Sequence, residues 1–243
     1  RADDLLHVVI PIGVSLASEK NFNHLLETML VEAKTFCHAD AGTLYLRTET
    51  NHLNPMIVRN DTLNFVMGGT SDIAVTLPTI PLYDATTNEP NHANISAYVA
   101  LEGRSINVSD LTNAAKFDFS GPRAFEAQTG YHSHSLLTIP LRTAENHVLG
   151  VMQLINAKDA ESGEVIAFDE ALQPLMESFS SLAVAALEAY VREQGLRQEI
   201  QQLKIEIDET RRQHEVSAIV DTDFFQSLQA KARTMRRRLT PSD

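Results

Sequence analysis

Residues 129–159, TGYHSHSLLTIPLRTAENHVLGVMQLINAKD, decide the fold of this chain. They contain two apolar runs, SLLTIPL and VLGVMQLIN, joined by a polar turn. Two such runs around a short polar segment are typical of a β-hairpin, whose side chains alternate between the two faces of a sheet. Polar residues recur within the runs or just before them, at Ser133, Ser135, Thr138 and Gln153. These polar positions are therefore either a solvated face of the hairpin or the lining of a pocket.

The segments before this hairpin predict further strands and the helices that cover them. Apolar residues between 22 and 37 recur at spacings of three and four, as in a helix with one buried face. TLYLR and PMIVR alternate in polarity and predict a second hairpin. A short helix, ISAYVALEG, and a strand, SINVSD, follow. A first helix is expected over residues 4–18, with Pro11 as its kink or its first turn.

Two polar stretches interrupt these elements. Residues 60–94 are rich in proline and turn-forming residues, so we expect a long ordered loop, a kind of segment that is usually functional or mobile. Residues 112–130 predict a loop with a helical turn. Outside these two stretches, the order of helices and antiparallel strands indicates an α+β fold with the helices on one side of the sheet.

The last third of the chain predicts long helices. One begins near Phe168, because apolar residues repeat at three and four up to Tyr190. A seam spaced four, three and four then continues, as in a coiled coil, through Leu196, Ile200, Leu203 and Ile207. A second copy of the chain is the simplest partner for this seam, and a solvated amphipathic extension is the alternative. The final helical segment ends in KARTMRRR, which is either a nucleic-acid patch or a charged tail.

Composition narrows the classes of function. The 243 residues carry a net charge of −12, which argues against nucleic-acid binding and favours the charged-tail interpretation of the basic end. A single cysteine excludes an internal disulfide and fits a cytoplasmic protein. No segment reaches the roughly 20 apolar residues of a membrane helix. The chain starts at Arg1 without a signal-peptide pattern, so we expect it to be a piece of a longer protein with an output domain elsewhere.

Longer motifs give a family resemblance. PLYDATTNEPNHANISAYVALEGRSINVSDL, KFDFSGPRAFEAQTGYHSHSLLTIPL and NHVLGVMQLINAKD follow one another in order. They resemble the GAF domain, the small-molecule sensor module of cyclic-nucleotide phosphodiesterases, adenylyl cyclases and bacterial signalling proteins, and especially GAF domains of bacterial cyclic-nucleotide and cyclic-dinucleotide signalling enzymes. The resemblance implies a GAF domain at residues 21–190, a connecting helix at 1–20, and a coiled coil with a basic helical tail at 191–243. It also implies a six-stranded antiparallel sheet with helices on one face and a ligand pocket on the other.

The resemblance further implies which residues line that pocket. Family members that bind cyclic nucleotides place polar groups near the base, and the backbone N–H groups of a short helix face the phosphate. The matching positions here are Thr43 and Asn60 near the base, Ile95 and Ser96 at the phosphate, and Thr129, Ser133 and Gln153 on the pocket wall. A helix N-terminus can hold a cyclic phosphate without a basic residue, and an amide can pair with adenine or guanine.

Two family features are altered. The family's Asn-Lys motif, which supports a buried Lys–Asp ion pair, is split by Ala157, and Val165 replaces its later Phe. Asp169 and Glu170 of the same motif are kept. The aromatic residue that stacks on the base in family members has no match here. Pro122 falls near its position, and Phe117, Phe119 and Phe125 could substitute for it.

Other chemistries have less support in the residues. Cys37 lies on an apolar helix face, which is a core position. Because it is the single cysteine of the chain, the paired redox cysteines of methionine-sulfoxide-reducing relatives are missing. His132 and His134 would share a strand face, but no third metal ligand is evident. Asp84, Glu89 and His92 could form a hydrolytic site, but no pairing of a nucleophile with a base is evident, so they are expected to make loop hydrogen bonds. Asp118 and Arg123 are expected either to clamp a loop over the pocket or to form a structural ion pair.

The sequence therefore predicts a non-enzymatic regulatory module with no assigned catalytic or metal residues. A small-molecule ligand, cyclic AMP or cyclic GMP in the first place, would order residues 60–94 and 112–130 over the sheet. A homodimer formed through the N- and C-terminal helices would pass the change to an output domain. The alternatives are another small ligand, or a ligand-free dimerisation scaffold of a larger signalling protein.

Overall fold

A computed structural model describes residues 10–112, 114, 116–220 and 223–238 of the chain. Contacts between residues divide it into two units, Arg1–Tyr190 and Val191–Asp243. The first unit contains the sheet, and the second is helical.

The described elements alternate between helices and short runs of strands. In chain order they are α1 (Ile10–Ala17), α2 (Phe22–Phe36), β1 (Ala39–Arg47), β2 (His52–Asn60), β3 (Phe65–Gly68), β4 (Ile80–Pro81), α3 (Ile95–Glu102), β5 (Ile106–Val108), α4 (Ser120–Thr129), β6 (Leu136–Arg142), β7 (Val148–Lys158), β8 (Val165–Ile166), α5 (Leu172–Val220) and α6 (Asp223–Arg238).

The sheet is antiparallel throughout its described pairs. Six strands form its main path in the order β3-β2-β1-β7-β6-β5, while β4 pairs with β2 and β8 with β7. The predicted α+β class and antiparallel sheet are confirmed, and the six strands that the family resemblance implies are joined by two short ones. The hairpin of residues 136–158 supplies the central strand β7, which lies between β1 and β6.

The back face of the sheet carries the main core. Leu44, Ile57 and Leu154 are fully buried there, together with Leu25 and Met29 of α2. The part of α5 before Tyr190 packs into the same cluster through Met176, Phe179, Ala183, Val184, Ala186 and Leu187. Burial of a Leu- or Phe-sized side chain contributes about 1.5–3 kcal/mol, so this face supplies most of the folding free energy.

The front face is covered by shorter and more polar elements. Tyr45 and Val151 of the sheet pack against Ala97 and Val99 of α3 in one small cluster. Ile95, Val108, Leu111, Phe119 and Leu136 form a second one. These clusters leave part of the front face uncovered by apolar side chains, and the candidate site lies there.

The two polar stretches, residues 60–94 and 112–130, contain more regular structure than the sequence indicates. The prediction of a loop over residues 60–94 is wrong at β3 and β4. The chain turns after Asn60, whose side-chain oxygen accepts from the Leu63 N–H at 2.8 Å, and β3 then pairs back onto β2. Gly68 ends β3 with φ near 75°, where a Cβ would collide with the Met56 carbonyl oxygen. Residues 112–130 hold the ten-residue helix α4, where a single turn was expected.

The strand of the deciding hairpin also begins later than its apolar run suggests. β6 starts at Leu136, so His132, Ser133 and His134 precede it, and the two histidines do not share a strand face. The cause is Asn156, whose side-chain oxygen accepts from the His134 N–H (2.7 Å) and the Ser135 N–H (3.2 Å). These bonds satisfy backbone donors that a sheet ladder would otherwise use.

The terminal helices follow the predicted pattern where they are described. Residues 4–9 of the first predicted helix lie outside the described residues, and Pro11 is the second residue of α1 as described. In the second unit, α5 continues without a break at Gly195, and α6 follows. Among the described residues, no helix contains a stretch long and apolar enough to span a membrane.

Candidate functional site

A cavity of about 470 Å³ lies on the front face of the sheet. Strands β1, β2 and β7 form its floor, and the start of α3, helix α4 and residues 77–80 surround it. Pockets of roughly 300–1,000 Å³ hold small organic ligands in other proteins, so this volume suits a ligand of that size.

A row of polar side chains crosses the floor of the sheet. Thr43 of β1 and Thr138 of β6 are both paired in register with Gln153 of β7. Because side chains alternate along each strand, all three lie opposite the apolar back face. The Gln153 amide nitrogen Nε2 donates to Thr138 Oγ1 at 3.5 Å and to Ser96 Oγ at 3.3 Å. The floor therefore connects directly to the first turn of α3.

The start of α3 is already capped by its own chain. The Asn94 side-chain oxygen accepts from the N–H groups of Ser96 (3.0 Å) and Ala97 (3.1 Å), and the Asn94 carbonyl accepts from Tyr98. Ile95, Ser96 and Asn94 line the cavity together. The positive end of the helix dipole thus faces the cavity, with two of its first N–H donors bonded to Asn94.

Helix α4 forms a thin cover that has no buried residue. Its Phe125 ring lies 6.3 Å from the rings of both Phe65 and Tyr131. Phe119, Pro122 and Phe125 line the cavity. Of the three aromatic residues that the sequence suggested for stacking, Phe119 and Phe125 are therefore in the lining. Phe117 packs against Tyr98 and Phe119 and is not part of the lining.

Two residues of the described lining carry a formal charge, Arg59 and Asp118. The Arg59 guanidinium bonds to Glu27 of α2, on the back of the sheet. Asp118 is exposed and accepts from the Ser120 N–H (2.8 Å) and the Ser120 hydroxyl (2.9 Å). The Ser120 backbone bond lowers the pKa of Asp118 most, followed by its hydroxyl, and the charge of Arg123 adds to them. Both charges are therefore engaged with other groups of the protein.

The start of α4 is also fastened to the start of α3. The Asp118 N–H donates to the Ala93 carbonyl at 2.8 Å. The sequence left open whether Asp118 and Arg123 clamp a loop over the pocket or form a structural ion pair; in the structure the Asp118 carboxylate bonds to Ser120, and the Asp118 backbone holds residue 93.

Most of the predicted ligand residues meet in this cavity. Its lining includes Thr43, Asn60, Ile95, Ser96, Ser133 and Gln153. Thr129 is exposed and is not in the lining: its hydroxyl donates to the Phe125 carbonyl (2.7 Å) and accepts from the Tyr131 N–H (3.2 Å), which ends α4. Position alone assigns no ligand contact to any of them.

Sequence reasoning missed several polar lining residues, among them Asn94, Tyr45 and Tyr131. Asn94 carries the N-cap signature of a residue just before an apolar helix, so it could have been found. Tyr45 lies two positions after Thr43 on the same strand face; burial raises its pKa to about 12, and a hydrogen bond with Thr43 opposes that rise. Tyr131 had no local signal, because its partners Asp40 and Asn156 come from distant parts of the chain.

A charged network lies at one end of the sheet beside the cavity. Lys158 Nζ is 2.5 Å from the buried carboxylate of Asp40, which also accepts from Thr62 Oγ1 at 2.9 Å. Burial raises the pKa of Asp40, but bonds from Lys158, Tyr131 and Thr62 outweigh it and leave the pKa below its usual value. Lys158 of the family motif therefore pairs with Asp40, whereas Asp169 of the same motif caps the residues that begin α5.

The remaining candidates make ordinary structural contacts. Cys37 is buried in the main core, and burial raises the pKa of its thiol to about 12. Asp84 accepts from the Thr86 and Thr87 N–H groups, and His92 lies 3.2 Å from Glu102. His132 contacts Glu126 at 2.8 Å. Within the part of the chain that the structure describes, no three His, Cys, Asp or Glu side chains are placed to hold a metal ion.

Comparison with known proteins gives one family. The sequence model of the GAF domain matches residues 21–187. The chain is 26% identical over 162 residues to a cGMP-specific 3',5'-cyclic phosphodiesterase of Drosophila pseudoobscura pseudoobscura, and 24% identical over 162 residues to that of Drosophila mojavensis. Each match covers 64% of this chain and 13% of the phosphodiesterase, so the chain spans a small part of these relatives.

Solved structures share the fold at low identity. The GAF domain of a phosphoenolpyruvate-protein phosphotransferase from Coxiella burnetii superposes with a TM-score of 0.57 at 15% identity, over 81% of this chain and 99% of that one. A free methionine-R-sulfoxide reductase from Neisseria meningitidis, in complex with its substrate, gives 0.54 at 13% identity, over 78% and 91%.

Proposed function

The chain belongs to the GAF domain family of small-molecule-sensing regulatory modules, and from this premise we propose that its front-face cavity binds a cyclic nucleotide, cyclic GMP or cyclic AMP. The observation that carries the proposal is the Gln153–Ser96 contact, which joins the polar floor to the start of α3. A cyclic nucleotide needs these two features side by side, because its base requires donors and acceptors and its phosphate requires a positive helix end.

The base would lie over the polar floor. The Gln153 amide offers both a donor and an acceptor, and Thr43 lies opposite Gln153 on the neighbouring strand. Phe119 and Phe125 lie in the same lining and can cover the flat face of a purine. Asn60 and Ser133 belong to the same lining, with the Asn60 oxygen already used by the Leu63 N–H.

The phosphate would lie at Ile95 and Ser96. One negative charge at a helix N-terminus is stabilised by the dipole and by free N–H groups. Here Asn94 holds two of those N–H groups, so the phosphate must share or displace the Asn94 side-chain oxygen. Because the Arg59 guanidinium of the lining is bonded to Glu27, we expect affinity to depend mainly on hydroxyl and amide contacts.

The phosphodiesterase relatives support cyclic GMP as the first ligand to test. Their name gives cyclic GMP as the substrate of the whole protein, and the matched region covers only 13% of it. The ligand of this chain therefore has to be measured directly, with cyclic AMP and cyclic GMP compared.

Ligand binding would be transmitted through the elements that surround the cavity. The Asp118–Ala93 bond ties α4 to α3, so closure of one moves the other. On the back of the sheet, Glu27 of α2 bonds to Arg59 of β2 and to Thr70 in the segment after β3. A ligand that orders residues 60–94 and 112–130 would thereby shift α2, to the extent that it binds the two states with different affinity.

The module would signal as a homodimer in the cytoplasm, without catalysis of its own. In the second unit, Leu196, Ile200, Leu203 and Ile207 are each more than half exposed. Read as heptads, the seam places Ile at the a positions and Leu at the d positions, which favours a parallel two-stranded coiled coil. We place the GAF domain at residues 21–190 and this coiled coil with the basic tail at 191–243, leading to an output domain.

The test is a thermal shift of the purified chain, unfolded and refolded to remove any bound ligand. A ligand at 100 times its Kd adds about 2.7 kcal/mol to the unfolding free energy, which is a shift of several degrees. Gln153→Leu should weaken the binding of the active nucleotide about tenfold or more, because it removes both polar contacts of the floor. Gln173→Leu, on the outer part of α5, is the matched control and should leave binding unchanged.

A ligand-free scaffold is the second candidate, and the Asn94 cap favours it. The N–H groups that would receive a phosphate are satisfied within the chain, as in a helix that binds nothing. No saturable shift with millimolar cyclic GMP or cyclic AMP, together with an intact dimer, would reject the cyclic-nucleotide proposal in favour of this one.

A further inference from the structure

Helix α6 differs in composition from the rest of the chain. Residues 223–238 contain five basic residues and one acidic residue, whereas the whole chain carries a net charge of −12. Its helical backbone runs from Asp223 to Arg238. The basic residues are concentrated in its second half, which ends with three consecutive arginines.

The same helix exposes large apolar side chains. Phe224 is 73% exposed and Leu228 is 46% exposed. These two residues and the exposed Ala232 are spaced four apart, so they lie along one side of the helix. Lys231 lies next to Leu228 at the i+3 position, and Arg233 lies on the opposite, polar side.

An apolar stripe that has Lys231 beside it and three arginines beyond its end, on a helix whose other residues are mostly polar, fits the boundary between lipid headgroups and acyl chains. We propose that α6 is a docking helix that binds the surface of an anionic lipid membrane and lies parallel to it. The apolar stripe enters the headgroup region, and the basic residues pair with anionic headgroups. This binding is peripheral, and it does not depend on the ligand of the front-face cavity.

Electrostatic repulsion favours an anionic membrane over a second copy of the helix as the partner of α6. In a parallel dimer two copies of α6 would be neighbours, and their like charges would repel at short range. An anionic bilayer removes that repulsion and supplies the opposite charge. It would also accept two helices at once from a dimer, which strengthens binding without new contacts.

Nucleic acid is a poorer fit for the same side chains. Phosphate contacts account for the basic residues, but a duplex offers no apolar surface that would cover Phe224 and Leu228. The two features of α6 occur together, so the partner should satisfy both. A lipid surface with anionic headgroups does so.

The test uses the full chain and sucrose-loaded vesicles pelleted by centrifugation. We expect the chain to pellet with vesicles of equimolar phosphatidylcholine and phosphatidylserine, and much less with phosphatidylcholine alone. Binding should weaken when salt is raised well above about 0.1 M, because screening shortens the range of the charges. Lys231→Glu with Arg236→Glu should weaken it about tenfold or more, since by their helical spacing both positions lie beside the apolar stripe and each basic residue near the surface contributes to binding.

The matched control changes the same total charge elsewhere in the second unit. Arg192→Glu with Lys204→Glu places the substitutions on exposed positions of α5 and should leave vesicle binding within about twofold of the parent chain, because charges beyond a Debye length of the lipid contribute little. Phe224→Ser should weaken binding at every salt concentration, because it removes apolar contact. Circular dichroism would verify that each variant keeps its helices.

Several outcomes would overturn the proposal. The chain could fail to pellet with anionic vesicles at low salt, or pellet equally with phosphatidylcholine alone. The α5 control could lose as much binding as the α6 variant, which would make the effect one of total charge. Binding to duplex DNA without vesicle binding would assign α6 to nucleic acid, and a change of oligomeric state with Phe224→Ser without vesicle binding would assign it to a second copy.

Discussion

The two faces of the central sheet use the same strands in opposite ways. On the back, Leu44, Met152 and Leu154 are fully buried against helices. On the front, their neighbours Thr43 and Gln153 belong to the polar floor of the cavity. Because successive side chains point to opposite faces, each residue of β1 and β7 serves either the core or the site. The difference teaches that stability and ligand recognition can be altered separately by substituting adjacent positions.

The largest effect is expected on the back face. Leu154→Ala removes a completely buried side chain and should lower the free energy of unfolding by about 2–5 kcal/mol. Denaturant unfolding measures the loss. Val165→Ala, at a 41% exposed position of β8, should cost under about 0.5 kcal/mol. A cost below about 1 kcal/mol at Leu154 would mean that the back face relaxes around a cavity, against the tight packing described.

The charged end of the sheet offers a sharper pair of variants. Asp40 and Asp61 each pair with a lysine, but the Asp40 side chain is 1% exposed and that of Asp61 is 68% exposed. Asp40→Asn leaves Lys158 without a buried counter-charge and should cost about 2 kcal/mol at neutral pH, less than a fully buried pair because Lys158 is partly exposed. Asp61→Asn leaves Lys34, whose side chain is 6% exposed, without its partner, but the exposed Asp61 carboxylate is screened by solvent, so the variant should cost about 1 kcal/mol. Equal costs would show that burial does not set the strength of these pairs.

The pH dependence of the same variant has a definite sign. The folded-state pKa of Asp40 lies below that of the unfolded chain, so its contribution is complete above the unfolded pKa of about 3.9 and is lost as the pH falls through the folded pKa. The gap in stability between the parent chain and Asp40→Asn should therefore be constant from neutral pH to about pH 5 and should narrow below about pH 4. Acid titration of unfolding followed by circular dichroism measures it.

Much of this contrast could be predicted from the sequence, because it depends on local alternation. The pattern around Leu154 and Gln153 assigns one residue to each face without knowledge of the fold. The late start of β6 and the exclusion of Thr129 could not be predicted in this way. The late start of β6 depends on Asn156, whose side chain bonds to the backbone of a residue that is distant in sequence. The exclusion of Thr129 depends on the end of α4, where its hydroxyl bonds to a backbone carbonyl of the last turn.

Short elements were missed for a related physical reason. β3 has four residues, too few for a period of two to be recognised, and it forms because β2 offers an unpaired edge. The Lys158–Asp40 pair joins residues 118 positions apart, and no local pattern points to it. Within the site, the strand residues were foreseeable from alternation, whereas Tyr131 was not, because its place is set by tertiary contacts.

A smaller effect is expected where the two faces are connected. Glu27 is largely buried on α2; burial raises its pKa, but bonds from Thr70 and Arg59 outweigh burial and keep the pKa low. Glu27→Gln weakens these bonds and should lower stability by about 1 kcal/mol. Hydrogen exchange should become faster in residues 66–76, which Thr70 helps to hold. Glu32→Gln on the same helix is the control. If it accelerated hydrogen exchange in residues 66–76 as much as Glu27→Gln does, Glu27 would not connect the two faces of the sheet.

The smallest effect on stability is expected at Thr138, and its comparison with Ile139 tests the separation of the two faces most directly. Both are buried and adjacent on β6. Ile139→Val removes a methylene from the back core and should cost about 0.5–1.5 kcal/mol while leaving ligand affinity unchanged. Thr138→Val keeps the shape and removes one weak 3.5 Å bond from Gln153, so it should cost under about 0.5 kcal/mol. It also frees the Gln153 amide, so the affinity for a cavity ligand should change by about twofold or more. If Ile139→Val altered affinity and Thr138→Val did not, the assignment of the two faces to core and site would be wrong.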